Sequence, residues 1–314
     1  MELKELNYII TIADEGSISR AAEKLYMAQS SLSQFLQIYE SELGTPIFMR
    51  TSRGVRPTAS GAVFIAHARQ ILLHYRRAQS EVWDIEDLKG GHIEFGTATF
   101  RGTYLVPQVL KKFHERYPGI HVEITEKDSL PLEEMILDGL LDLALVALPT
   151  VRLKQSVEPL MKDEILLVTT KDHPVMQYVH NSENNERPWI HLADTLRYEY
   201  IFGPMDTILG RVARDEFQKL GVKPFTRNTH FTASFAAAMA REGIALAFTY
   251  ESCIVHTENT VYLRIGKDGI FLELGLAYPS GEYRSKATQT LGALFHETYS
   301  KPETHIPVDF SRQM

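Results

Sequence analysis

The first 45 residues carry apolar side chains at the spacing of α-helices. Residues 3–15 form one amphipathic stretch that Gly16 ends, and Ser17 or Ser19 can cap a second short stretch that follows. A third amphipathic stretch runs from Gln29 to Leu43 and stops at Gly44. The pattern predicts three short helices, the last two joined by a tight turn.

The third helix has an outward face of amides and hydroxyls in place of the usual Lys and Glu. Such groups can both donate to and accept from base edges in the major groove of DNA. A tight helical pair whose second helix has this face is typical of a helix-turn-helix, predicted here over about 18–37. The alternative is a solvated helical hairpin. The candidate DNA-reading residues are Gln29, Ser30, Ser31, Ser33, Gln34 and Gln37.

Two short apolar strands follow the helical pair and flank a Ser-Arg-Gly turn. This pattern predicts a β-hairpin over 46–57, with Arg50, Arg53 and Arg56 clustered on it. A basic hairpin beside a groove-reading helix is a wing, and its arginines would hold phosphates or enter the minor groove. The alternative is a solvated turn. We expect Arg50 and Arg53 to contact DNA.

A long helix is predicted from Thr58, a plausible N-cap, to about residue 88, where the sequence Lys89-Gly-Gly91 ends it. Its apolar side chains repeat every seven residues for more than three heptads, which favours a coiled-coil seam and dimerisation. The alternative is a helix packed on its own chain. The predicted seam consists of Phe64, Ala68, Ile71, Tyr75, Ala78, Val82 and Ile85.

The remainder alternates strands and helices in two similar units, which predicts a two-lobed α/β domain. One unit has strands near 92–95, 120–124 and 142–146, and the other has strands near 198–202, 225–229 and 244–248. Ligands in such sheets bind beyond the carboxyl ends of the strands, at helix N-termini. The strand ends therefore predict where a ligand cleft lies.

The candidate cleft residues are hydroxyls, aromatic side chains and one arginine at these strand ends. Hydroxyls and free N–H groups at helix N-termini favour an anion, and Arg101 would add a fixed positive charge. The alternatives are a plain N-cap for each hydroxyl and a surface position for Arg101. The candidates are Thr97, Thr99, Phe100, Arg101, Ser129, Phe202, Met205, Asp206 and Thr232, with Asp128, Thr207 and Ser234 beside them.

Composition narrows the function classes. The formal net charge of −7 over 314 residues excludes a chain that coats nucleic acid through bulk positive charge, so DNA binding has to be local. A single cysteine, Cys253, fits a reducing compartment, and we expect no signal peptide at the N-terminus. No segment approaches the roughly 20 apolar residues that are needed to span a bilayer. We therefore expect a cytoplasmic protein without a membrane partner.

The motifs that mark common enzyme sites are not evident in the sequence. We find no phosphate-binding glycine loop, no Gly-x-Ser-x-Gly elbow and no His-Glu-x-x-His, and the histidine pairs lack the local spacing of a metal site. We therefore expect no catalytic residue, no metal site and no cofactor. The competing hypothesis is a cytoplasmic small-molecule-binding protein or enzyme whose N-terminal helices form an oligomerisation module.

Several of these segments together resemble the LysR-type transcriptional regulators. The N-terminal motifs are Gly16-Ser-Ile-Ser-Arg-Ala-Ala-Glu-Lys-Leu25, Gln29-Ser-Ser-Leu-Ser-Gln34, Glu42-Leu-Gly-Thr-Pro-Ile-Phe48 and Arg50-Thr-Ser-Arg-Gly54. Weaker motifs continue the similarity over roughly residues 1–300: Tyr104-Leu-Val-Pro107, Phe113-His-Glu-Arg-Tyr-Pro118, Gly139-Leu-Leu-Asp-Leu-Ala144 and Gly243-Ile-Ala-Leu246.

The resemblance implies a winged helix-turn-helix over 1–58, a linker and dimerisation helix over 59–90, and a two-lobed effector domain over 91–300 of the type 2 periplasmic-binding-protein kind. It assigns about 91–160 and 266–300 to the first lobe and about 164–265 to the second. Such proteins are homodimers or homotetramers that bind promoter DNA, respond to a small-molecule effector and contact RNA polymerase. By position, Gln29, Ser30, Ser33 and Gln34 match family residues at base edges, Arg50 and Arg53 match wing residues, and Thr99, Phe100, Ser129, Phe202 and Thr232 match cleft residues.

The chain departs from the family at two places. Ala28 and Ser30 stand where many members have Ser and Pro, so loss of the cap should weaken the third helix by about 1 kcal/mol unless Ser30 compensates. Glutamines occupy positions 34 and 37, where a basic residue is common. The tail over 301–314 extends beyond the similarity, and we expect it to be flexible.

Overall fold

The structure, a computed structural model, describes residues 2–52, 54–85, 90–153, 157–181, 187–204, 207–228, 231–281 and 283–300. The tail over 301–314 therefore lies outside the described residues. The described chain divides into two compact units. The N-terminal unit ends before Gly90 and also includes Asp138–Leu140, and the C-terminal unit contains the other described residues. In the described part of the chain, no helix has both the length and the apolar character needed to cross a membrane.

The N-terminal unit consists of three short helices, a β-hairpin and a long helix. Their bounds are α1 Leu3–Glu15, α2 Ile18–Lys24, α3 Gln29–Leu43, β1 Phe48–Thr51, β2 Gly54–Pro57 and α4 Ala59–Ile85. Left-handed glycines end α1 and α3, with Gly16 at φ +58° and Gly44 at φ +73°. Ser17 caps α2 by accepting a hydrogen bond from the Arg20 N–H at 3.4 Å, so local sequence signals define these ends.

The core of this unit forms where the apolar faces of its helices meet the hairpin. Ile9, Ile12, Leu32 and Ile47 are fully buried there. Thr58 caps α4 as expected, because its Oγ1 accepts a hydrogen bond from the N–H of Gly61 at 2.9 Å. The sequence prediction of a helix-turn-helix followed by a hairpin and a long helix is confirmed.

The predicted seam on α4 divides into two parts. Phe64 and Ala68 pack inside their own chain, against the apolar clusters that α1 contributes to, so the first turns of the seam are intrachain core. The later large side chains remain exposed in the single chain, namely Ile71 at 49%, Tyr75 at 47%, Val82 at 60% and Ile85 at 80%. Ala78 is exposed as well. Dimerisation through this face stays a prediction.

The C-terminal unit is a mixed α/β structure. Its helices are α5 Thr99–Arg116, α6 Ser129–Leu137, α7 Ile208–Lys219, α8 Ala233–Arg241 and α9 Lys286–Tyr299. Its strands are β3 Gly91–Thr97, β4 Ile120–Glu126, β5 Leu143–Leu148, β6 Val157–Thr170, β7 Trp189–Ile190, β8 Glu199–Ile201, β9 Phe225–Asn228, β10 Ala247–Tyr250, β11 Thr260–Ile265 and β12 Ile270–Ala277.

One sheet runs through both halves of this unit in the order β4-β3-β5-β12-β6-β11-β7, with β10 also paired to β6. Strands β3, β4 and β5 are parallel to one another, whereas β12 is antiparallel to both β5 and β6. We call the half around β3, β4 and β5 the first lobe, and the half around β8, β9 and β10 the second lobe. Strand β6 spans 14 residues and serves both lobes.

Each lobe has its own apolar core. Phe95 and Phe295 stack in the first, with ring centroids 5.4 Å apart, and Tyr200, Phe202 and Phe217 pack in the second. The short alternating elements of the sequence prediction are confirmed within a few residues. The long strands β6 and β12, which connect the lobes, were not predicted, because their buried central segments have no local pattern that separates them from other apolar runs.

Candidate functional site

The outward face of α3 is open to solvent. Leu32 and Leu36 are buried on the opposite face, which leaves the polar residues unpacked. Of the predicted DNA-reading residues, Ser33 is half-buried, and the exposed ones are Gln29, Ser30, Ser31, Gln34 and Gln37. The start of α3 lacks a side-chain cap at Ala28. The structure therefore leaves most of the predicted set accessible to solvent, and its role in reading DNA stays a prediction.

The hairpin pairs Met49 with Arg56 and Arg50 with Val55. Side chains alternate between the two faces of a strand, so Arg50 and Arg56 point to opposite faces of the hairpin. The prediction that these two arginines cluster is therefore wrong. Arg50 is exposed, as a phosphate contact requires. Arg53, the second predicted contact, lies outside the described residues.

Glu40 fixes the hairpin to α3, and the sequence prediction did not include this residue. Its Oε1 accepts hydrogen bonds from the backbone N–H of Ile47 at 2.7 Å and of Phe48 at 2.9 Å. A second link joins the hairpin to the turn between α1 and α2, where the Val55 N–H donates to the carbonyl of Gly16 at 2.9 Å. These bonds hold the hairpin in a fixed position beside α3.

A cleft with a volume of about 330 Å³ lies between the two lobes of the C-terminal unit. Four helices begin at its wall, because Thr99 and Ser129 are the first residues of α5 and α6, and Thr207 and Thr232 cap α7 and α8. Positive ends of helix dipoles therefore converge on the cleft. Its lining consists of Ala98, Thr99, Phe100, Arg101, Asp128, Ser129, Pro204, Thr207, Ile208, Leu209, Thr232, Ala233, Ser234 and Tyr250.

Arg101 is the cation of this lining, although only 6% of its surface is exposed. Its guanidinium carbon lies 4.0 Å from the centre of the Tyr250 ring, a cation–π contact that orients the group. Its Nη1 is buried and has no hydrogen-bond partner. A buried charged donor without a partner is costly, so this nitrogen is suited to an acceptor supplied by a ligand.

Asp163, in the middle of β6, is fully buried. Its Oδ1 accepts a hydrogen bond from the Ser252 N–H at 3.0 Å, and its Oδ2 accepts one from the Ser252 hydroxyl at 2.7 Å. Burial raises the pKa of this carboxyl above its ordinary value, although the charge of Arg101 and the Ser252 bonds oppose the shift. Burial likewise raises the pKa of the Tyr250 hydroxyl.

Five of the nine predicted cleft residues line the cleft. They are Thr99, Phe100, Arg101, Ser129 and Thr232.

Two other candidates are wrong as lining residues. Thr97 is buried beneath Gly102, and Phe202 lies in the core of the second lobe, because both point into their lobes from the strand ends. Met205 and Asp206 lie outside the described residues. Tyr250 was missed because the predicted strand stopped at Phe248, whereas β10 continues to Tyr250.

Among the described residues, no group of three or more histidine, cysteine, aspartate and glutamate side chains is arranged to hold a metal ion. Cys253 is buried, and burial raises the pKa of its thiol, which keeps the thiol protonated and unreactive.

A winged helix-turn-helix followed by a two-lobed α/β domain with a polar cleft defines a class of ligand-binding regulatory proteins. The model of the bacterial regulatory helix-turn-helix protein, LysR family, matches residues 3–62, and the model of the LysR substrate-binding domain matches residues 86–300. The chain therefore belongs to the LysR-type transcriptional regulator family.

Curated relatives agree with this assignment. The uncharacterized HTH-type transcriptional regulator YcgK of Bacillus subtilis is 34% identical over 172 residues, which cover 55% of this chain and 53% of that protein. The nitrogen assimilation regulatory protein nac of Klebsiella aerogenes is 33% identical over 176 residues, covering 55% of this chain and 57% of that one. The chain thus spans about half the length of the curated relatives it matches.

Solved structures share the fold over nearly the whole chain. A full-length OxyR variant from Pseudomonas aeruginosa superposes with a TM-score of 0.65 at 21% identity, covering 94% of this chain and 98% of that one. CbnR, in its complex with target DNA, superposes with a TM-score of 0.62 at 19% identity, and the match covers 95% of this chain and 98% of that one. At these identities the likeness establishes the fold alone.

Proposed function

We propose that this protein regulates transcription by binding promoter DNA through α3 and the wing, and that a small anion bound between the lobes of its C-terminal unit controls this activity. Membership of the LysR-type family supports the first part. The observation that carries the second part is the buried, unpartnered Nη1 of Arg101 at the wall of the cleft.

The accessible amide and hydroxyl face of α3 supports sequence reading. Residues 1–90 contain ten basic and eleven acidic side chains, so bulk attraction to DNA is weak and direct contacts must supply specificity. In this proposal Gln29 and Gln34 read base edges, and Arg50 and Arg53 hold phosphates. Each subunit then makes few phosphate contacts, and affinity comes from a dimer or tetramer that occupies several half-sites.

A comparison of substitutions tests the DNA-binding part. The full-length protein selects a duplex from a random library, and binding to that duplex and to a scrambled one is measured at fixed salt. Gln29→Ala should reduce the difference in binding free energy between the two duplexes by about 1–3 kcal/mol, whereas Arg50→Ala should weaken binding to both duplexes equally. Gln70→Ala, an exposed glutamine on α4, is the control. Equal losses on both duplexes for Gln29→Ala would remove its reading role.

The charge pattern of the cleft supports a compact anionic effector. Arg101 and the four helix starts supply positive potential and hydroxyl donors, and Phe100 and Tyr250 provide aromatic surface with ring centroids 5.9 Å apart. Asp128 is the acidic residue of the lining and lies exposed at its edge. A small carboxylate with an apolar or planar body matches these groups better than a cation does.

A thermal-shift screen of small carboxylates against the full-length protein tests the effector part, because a ligand that binds only the native state raises apparent stability. The shift should disappear in Arg101→Gln and persist in Lys127→Gln, which removes an exposed charge near Asp128 outside the lining. If Arg101→Gln responds to the same carboxylates as the wild type, the anion does not bind at this arginine.

A further inference from the structure

The second lobe contains a cavity of its own, with a volume of about 590 Å³. We call it the α7 pocket, because it forms where α7 ends and the chain turns into β9. Its volume lies in the range of pockets that bind small molecules, and none of its described lining residues belongs to the lining of the cleft. The residues that give it its chemical character are Phe202, Arg214, Phe217, Val222, Lys223 and Pro224.

One part of this lining is apolar. Phe202 and Phe217 pack edge to face with their ring centroids 5.9 Å apart, and both side chains are almost fully buried. Val222 and Pro224, which follow the end of α7, are half-buried. An apolar surface of this kind holds the hydrocarbon part of a ligand, as in most small-molecule pockets.

Arg214 is the half-buried cation of the lining. Its Nη1 donates to the carbonyl of Gly210 at 3.1 Å, and its Nη2 donates to the carbonyl of Gly203 at 3.3 Å. Its guanidinium carbon lies 5.7 Å from the centre of the Phe202 ring, within the range of a cation–π contact. A guanidinium has five N–H groups, so these contacts hold Arg214 in place and leave donors for a ligand.

The charge of the lining is positive. Lys223 is exposed and adds a second cation, and the described lining contains no aspartate or glutamate. Among the described residues neither Arg214 nor Lys223 forms an ion pair, and Glu216 on α7 pairs with Lys219 instead, at 2.6 Å. Burial lowers the pKa of Arg214, because part of its charge is removed from water. An anion in the α7 pocket therefore meets two positive charges that no acidic side chain balances.

The end of α7 acts against an anion, but less strongly. A helix C-terminus is equivalent to about half a negative charge. The N–H of Gly221 donates to the carbonyl of Gln218 at 2.9 Å. The N–H of Val222 donates to the carbonyl of Phe217 at 3.2 Å, so two of the terminal carbonyls are already bonded. Two full positive charges exceed this partial charge, and the pocket as a whole favours an anion.

We propose that the α7 pocket is a second small-molecule site, separate from the cleft, which takes a carboxylate with a compact apolar body. Arg214 binds the carboxylate through charge-assisted hydrogen bonds, since the two oxygens match the fork of a guanidinium. Lys223 adds attraction from the exposed part of the lining, and the apolar part holds the body of the ligand. The proposal does not depend on whether the cleft binds an anion.

Calorimetric titration of the full-length protein with benzoate, phenylacetate and hexanoate tests the proposal. Arg101→Gln is the background for the test, because it removes the cation of the cleft. A probe that binds this background should lose about tenfold or more of its affinity when Arg214→Gln is added, and about two- to fivefold when Lys223→Gln is added. Arg211→Gln, which removes an exposed arginine of the same helix outside the lining, is the matched control and should leave the affinity unchanged.

Hydrogen exchange followed by mass spectrometry locates the bound probe in the Arg101→Gln background. A carboxylate in the α7 pocket should slow exchange in peptides covering 212–226 and leave peptides covering 128–137, beside the cleft, unchanged. Protection that is confined to the peptides beside the cleft would overturn the proposal. This measurement needs no substitution within the pocket.

The possible outcomes separate this site from the cleft. If none of the three probes binds the Arg101→Gln background, the α7 pocket is not a carboxylate site, whereas the effector proposal, which is tested on the wild type, is unaffected. If a probe keeps its affinity in both Arg214→Gln and Lys223→Gln, the proposal is likewise wrong. Lys223 is exposed and makes no hydrogen bond with the described residues, so its variant decides the matter even if Arg214→Gln does not fold. Loss of assembly in sedimentation for Lys223→Gln, with unchanged probe affinity, would assign the pocket to a second copy of the chain instead.

Discussion

Glu40 offers the most direct test of how the wing is held. Its carboxylate accepts the N–H groups of Ile47 at 2.7 Å and Phe48 at 2.9 Å, and both of those residues are buried. Glu40→Ala leaves two backbone donors without a partner, each at a cost of about 1–3 kcal/mol. We therefore expect the free energy of unfolding of the N-terminal unit to fall by about 2–6 kcal/mol. Glu40→Gln keeps a neutral acceptor and should lose only about 1–2 kcal/mol.

The measurement has to report on the N-terminal unit alone, because the chain has two compact units. Hydrogen exchange followed by mass spectrometry on peptides covering 45–58 isolates the amides involved, and exchange should accelerate in Glu40→Ala far more than in Glu40→Gln. Glu42→Ala, an exposed glutamate on the same helix, is the matched control. If these amides exchange as slowly in Glu40→Ala as they do in Glu42→Ala, the Glu40 carboxylate does not anchor the hairpin.

Three further changes test packing and assembly. Gly61→Ala places a Cβ far inside van der Waals contact with the carbonyl oxygen of Ile47, so the thermal midpoint should fall with a loss of at least about 2 kcal/mol, and an unchanged midpoint would contradict the close contact. Tyr75→Glu puts a charge on the exposed part of the α4 seam and should dissociate dimers in sedimentation, which an intact assembly would refute. Glu133→Ala leaves the N–H groups of Val151 and Arg152 unpaired, so urea denaturation should show a loss of about 2–4 kcal/mol, and a loss below about 0.5 kcal/mol would count against that role.

The recognition surface shows what periodicity can predict. The apolar stripe of α3 decides which side of the helix is buried, so the exposure of Gln29 and Gln34 follows from the sequence. The hairpin was predicted from its turn residues, but its register was not. That register separates Arg50 from Arg56, because a shift of one residue moves a side chain to the other face.

The cleft shows which features of the site the sequence rules do not predict. Rules about strand ends and helix starts located Thr99, Ser129 and Thr232 without any knowledge of the chain path. The same rules include Thr97 and Phe202, since they locate a residue without giving the direction of its side chain. Tyr250 lies two residues beyond the end of the predicted strand, and it contacts Arg101 because β10 continues to residue 250.

The sequence by itself determined the order of elements, the accessible face of α3, the two lobes and the family, because each depends on local spacing and on motifs that a single chain displays. The tertiary structure alone decided that α4 uses Phe64 and Ala68 within its own unit, that β6 and β12 run through both lobes, and that Asp163 meets Ser252 across 89 residues of chain. Such contacts depend on the path of the backbone, and no local pattern records which distant residues it brings together.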